Sequence, residues 1–66
     1  MEIGNRLKNL RTDNKMTIKN VADKVGVKFQ QVSKWENNIT RPEYENLISL
    51  AKLFNVNTDY LLGLED

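Results

Sequence analysis

The sequence predicts an all-α fold, a compact bundle of five short helices. Three observations point there. Apolar residues recur at intervals of three and four along most of the chain. No stretch alternates polar and apolar residues for long enough to make a strand. Residues that start and stop helices stand between the periodic segments at short spacing. With 66 residues the chain can close only one small core. It is therefore read as one domain over 1–66, with 62–66 as the start of a linker.

Each helix has its own justification. Ile3, Leu7 and Leu10 share one face of a first helix over residues 2–13, which Asn14 is expected to end by adopting a left-handed conformation. Thr17 is a good N-cap for a second helix carrying Ile18, Val21, Ala22 and Val25, and Gly26 stops it. A third helix over 28–37 turns Val32 and Trp35 inward. Pro42 helps to start a fourth, with Leu47, Leu50, Ala51 and Phe54 on one stripe and Ile48 and Leu53 alongside. Asn57 caps a fifth segment, Thr58 to Leu62, closed by Gly63.

Composition narrows the function. The chain has no Cys and no His. Disulfides and His–Cys metal sites are thereby excluded, and the commonest general base and the thiol nucleophile are missing. No metal, cofactor or enzymatic role is expected. Apolar runs are too short to span a membrane and no targeting segment opens the chain, so a cytoplasmic location is expected. The net charge of +1 conceals a polarity. Residues 1–14 carry +1, residues 15–41 carry +4 and residues 42–66 carry −4. A basic middle suits an anionic partner, and an acidic end is kept away from it.

The informative stretch is Thr17 to Asn37, TIKNVADKVGVKFQQVSKWEN. Two short helices meet at a turn, Ala22 is small enough to let them approach, and Val25, Val27 and Val32 set their angle. That is the composition of a helix-turn-helix, whose second helix enters the DNA major groove while the first crosses the backbone. At about 100° per residue from Lys28, Val32, Glu36 and Trp35 fall on one side at roughly 40°, 80° and 340°. Gln30 and Lys34, at about 200° and 240°, project from the other, with Gln31 and Ser33 flanking them. A Gln amide can bond adenine N6 and N7 together, and Lys can donate to guanine.

With IGNRLKNLR near the start, then TIKNVADKVGV, QQVSKWEN, RPEYENLISLAKLFNV and TDYLLG, nearly the whole chain resembles the lambda-repressor and Cro-type helix-turn-helix (XRE) family. The resemblance implies sequence-specific binding of double-stranded DNA by a bacterial or phage transcriptional regulator. A repressor that occludes its operator is the expected form, and a protein-interaction or antitoxin-type module on the same fold is the competing class. It places base reading at Phe29, Gln30, Ser33 and Lys34, with Gln31 beside them. DNA-backbone contacts fall at the start of the second helix (Thr17, Ile18, Lys19), at Lys28, at Asn37 and at Arg41. It also implies a buried structural ion pair between Arg11 and Glu36, and Glu36 indeed falls on the packed side.

The departures from the family pattern are local. Ile18 stands where a Gln is common, Lys28 replaces a Ser or Thr N-cap, and Asn38 replaces a Gly. Phe29 replaces a polar residue and has two readings: contact with a thymine methyl, or cover for the edge of the second helix. One such domain makes few contacts, so a homodimer on a palindromic operator is expected. Its contact surface is read as Phe54, Val56, Tyr60, Leu61, Leu62 and Leu64, or as a further C-terminal domain.

Overall fold

A computed structural model of the chain describes residues 3–64. It contains α1 (Ile3–Asp13), α2 (Ile18–Val25), α3 (Phe29–Glu36), α4 (Tyr44–Phe54) and α5 (Thr58–Leu62), and the described residues include no strand. The expected order is thus observed, with ends moved by a residue or so. Glu2 lies outside the described residues, as do Glu65 and Asp66 of the expected linker. Lys28 and Asn37 flank α3 as its caps rather than belonging to it.

The helices stop by one device. A residue with positive φ follows each: Lys15 (56°), Gly26 (84°), Asn38 (58°), Asn55 (55°) and Gly63 (74°). The next amide then reaches back to a carbonyl five residues earlier. Met16 N–H donates to Arg11 O, Val27 to Ala22, Ile39 to Lys34, Val56 to Ala51 and Leu64 to Asp59. This geometry satisfies carbonyls that the last turn leaves open. Asn14, expected to be left-handed, is not. Its side chain instead donates to Leu10 O at 2.7 Å, and Lys15 takes the unusual backbone conformation.

Helix starts are more varied. Thr17 Oγ1 accepts from Asn20 N–H and Asn20 Oδ1 accepts from Thr17 N–H, both at 3.0 Å, a reciprocal cap on α2. Asn57 Oδ1 accepts from Tyr60 N–H at 2.8 Å at the start of α5. Lys28 cannot accept through its side chain, so α3 has half of such a cap: Gln31 Oε1 accepts from Lys28 N–H at 3.3 Å. Pro42 lies just ahead of Glu43, the N-cap residue of α4, whose side chain makes no capping bond.

The core draws on every helix. The largest fully buried side chains are Leu7, Val21, Val32, Leu50 and Leu61, one from each of α1 to α5. Ala22 is buried where α2 crosses α3, and Trp35 and Phe54 close the sides. Phe54 and Leu61 therefore belong to the core and not to a contact surface, because closing so small a bundle consumes them. Val56 and Leu62 are packed against it, and Leu64 remains exposed. Tyr60 lies under the Arg6 guanidinium, 4.8 Å from ring centroid to Cζ, joining α5 to α1.

Candidate nucleic-acid interface

The face opposite the core is built by α3. Val32, Trp35 and Glu36 are buried, so the residues between them must point away. Phe29, Gln30, Gln31 and Lys34 are exposed, and Ser33 is half-buried. Gly26, Val27, Lys28, Gln30, Gln31 and Lys34 border an open depression of about 700 Å³ between the turn and the helix. Gly26 is there for its backbone alone, since nothing lies within 4 Å of where a Cβ would stand.

Not all of the expected contact residues are equally free. The side chains of Gln30 and Lys34 have no hydrogen-bond partner among the described residues. Gln31 is held by its cap, which leaves its amide N–H groups available. Asn37 donates to Ser33 O at 2.8 Å and lies 3.5 Å from Ser33 Oγ, so it partly covers the serine. Lys19 pairs with Asp23 at 3.0 Å, although both side chains are well exposed. Ile18 turns toward the core and offers only its amide. With Thr17 Oγ1 occupied by Asn20, the amides of Ile18 and Lys19 at the start of α2 have no intrahelical acceptor. They suit an anionic oxygen.

A second concavity flanks α3 on its other end. Lys34, Thr40, Arg41 and Asn46 line a groove of about 230 Å³ between α3 and the start of α4. Thr40 and Asn46 carry no motif and were not legible as site residues. Glu43 lines the groove too, so the acidic part of the chain is not wholly separated from the basic middle. Sequence distance had suggested a separation that the turn before α4 removes.

Behind this face α3 is fastened to α1. Arg11 Nε donates to Glu36 Oε2 at 2.7 Å and Nη2 donates to Oε1 at 3.1 Å, a two-pronged pair. Arg11 Nη1 also donates to Met16 O at 3.0 Å. The side chains are only 13% and 5% exposed. A second fastening was not foreseen. Gly4 N–H, at the start of α1, donates to Asn38 Oδ1 at 3.1 Å. A Cβ on Gly4 would overlap the Glu36 carbonyl and stand 2.8 Å from its carbon. Glycine there lets two backbones meet. The only signal in the sequence was Asn38 itself, an Asn in place of a Gly.

A capped helix, a glycine turn and a second helix with its polar side outward define a helix-turn-helix protein. The chain belongs to the lambda-repressor-type helix-turn-helix family, whose model, described as helix-turn-helix, matches residues 7–61. It is 36% identical over its whole length to the HTH-type transcriptional regulator ImmR of Bacillus subtilis and covers 52% of that protein. It is 35% identical, again over its whole length, to the HTH-type transcriptional activator BcrR of Enterococcus faecalis, covering 32% of it. The P22 c2 repressor, solved in complex with synthetic operator 9T, superposes with a TM-score of 0.89 at 33% identity over 92% of both chains. The chain thus spans about half or less of the length of these curated relatives. Among the described residues, no helix is long and apolar enough to cross a membrane.

Proposed function

We propose that residues 1–66 form one DNA-binding domain of a cytoplasmic transcriptional regulator that represses by occupying its operator. The observation that carries this is the outward row on α3. Phe29, Gln30 and Lys34 stand exposed on a helix whose opposite side is buried, with Lys28 and Arg41 at its flanks. In this reading α3 lies in the major groove. Gln30 and Lys34 bond base edges, with Phe29, Gln31 and Ser33 beside them. The amides of Ile18 and Lys19, with Thr17, Lys28, Asn37 and Arg41, hold phosphates. Binding is the whole mechanism: an occupied operator excludes polymerase, and no cofactor takes part.

Two copies on a palindromic operator place their recognition helices about 34–36 Å apart. Leu64 is an exposed apolar side chain of the C-terminal part that is left for such a pairing. The solved operator complex of the P22 c2 repressor supports repression as the mode.

Selection from randomised duplex DNA tests the reading. The expected outcome is a two-fold-related motif for which the logarithm of the affinity falls linearly with log salt. Gln30→Ala should relax preference at one position in each half-site. Equal affinity for every duplex would defeat the proposal.

A further inference from the structure

We infer that Phe29 is a specificity-determining residue that reads the 5-methyl group of thymine in the major groove. The inference rests on the DNA-binding reading above and adds the chemistry of one contact to it. Phe29 is the first residue of α3 and is 54% exposed. The half-buried side chains that pack on the core include Ile18, Val25 and Val27 from α2 and the turn, but not Phe29. Phe29 is therefore not spent on the core, and the greater part of its ring stays open to a partner. The core closes without it, through Val32 and Trp35.

Its neighbours say what it faces. Gln30 follows it directly, and Ser33, one turn on, stands between it and Lys34. An aromatic ring in this polar and cationic row meets whatever the row meets. Along a duplex major groove the base edges present donors, acceptors and a single kind of apolar group, the methyl at C5 of thymine. A ring laid on that methyl leaves no polar atom unpaired on either side. The same ring over a cytosine C4 amino group would strip water from it and return no hydrogen bond. Phe29 thus selects thymine by what it cannot satisfy as well as by what it covers.

The test uses the selected duplex and deoxyuridine, which lacks only the methyl and keeps the hydrogen-bonding edge. Each thymine is replaced in turn and affinity is measured at fixed salt. One thymine in each half-site should show a loss of about fourfold, the ratio that corresponds to one methylene-sized group buried. Phe29→Ala, which removes an exposed side chain, should melt like the parent and bind the thymine and uracil duplexes equally. 5-Methylcytosine in place of cytosine at that position should recover part of the affinity that cytosine loses. Uracil tolerated everywhere by the parent overturns the inference while leaving specific DNA binding intact. So does a uracil penalty that persists in Phe29→Ala. A chain with no preferred duplex overturns both readings together.

Discussion

The two sides of α3 are built to opposite rules. On the inner side the buried side-chain polar atoms among the described residues all have partners. Arg11 and Glu36 bond twice, the Arg11 side chain also ties down Met16 O, and Asn38 caps the first turn of α1 through Gly4. On the outer side, the Gln30 and Lys34 side chains bond to nothing among the described residues, and Phe29 is more than half exposed. The seam spends its polar groups on holding the helix; the outer face leaves the Gln30 and Lys34 side chains unpaired among the described residues. A recognition helix needs both, since base contacts discriminate only if the helix carrying them is held in place.

Substitutions at the seam should therefore cost stability, and those on the outer face should cost binding. Arg11→Ala carries the largest expected effect. It leaves the Glu36 carboxylate buried without its cation, a loss of about 3–5 kcal/mol. A chain of this size is stable by only on the order of 3–10 kcal/mol, so the variant should be near unfolding. A denaturant melt with an unchanged midpoint would show that the pair does not hold the seam.

Gly4→Ala comes next, and here two effects oppose each other. Alanine is favoured over glycine in a helix by about 1 kcal/mol. The added methyl, however, overlaps the backbone carbonyl of Glu36, which no side-chain rotation can relieve. Overpacking of this kind costs about 1–3 kcal/mol, so the net outcome should be destabilising. A raised melting temperature would mean that α1 can slide along α3 without penalty.

Asn38 separates backbone from side chain. Asn38→Ala loses the acceptor for Gly4 and places a methyl side chain in a left-handed conformation, for a cost of about 1 kcal/mol. Asn38→Gly loses the same acceptor but relaxes the backbone at φ 58°, so its melting temperature should stay closer to the parent's. If the two variants melt alike, the hydrogen bond carries all of the effect. The smallest stability change belongs to Gln30→Ala, within about 0.5 kcal/mol, as for other exposed positions. The same substitution should remove about 1–3 kcal/mol of base discrimination, measured by competition between duplexes. A folded but unselective Gln30→Ala beside an unfolded Arg11→Ala would be the full contrast between the two sides.

The helices were legible because their signals are local. Thr17, Gly26, Asn57 and Gly63 each act through their own backbone neighbourhood, so residue type alone announces the position. Lys15 was not legible. Lysine has no intrinsic reason to take φ 56°; it does so because the two amides that follow Asn14 find Thr12 O and Arg11 O only in that geometry. The outward positions of Gln30 and Lys34 followed from helical periodicity. The groove between α3 and α4 did not, because Thr40 and Asn46 reach it through a turn that carries no periodic pattern.

What the sequence determined by itself was the helix count, the inner and outer sides of α3 and the residue types on its outward row. These depend on spacing within one element. Only the tertiary structure decided which side chains were left over. Phe54 and Leu61 went to the core, Phe29 stayed outside it, and Gly4 met Asn38 across 34 residues of chain. Burial and long-range contact depend on how five amphipathic faces share one small interior, and no single face contains that information.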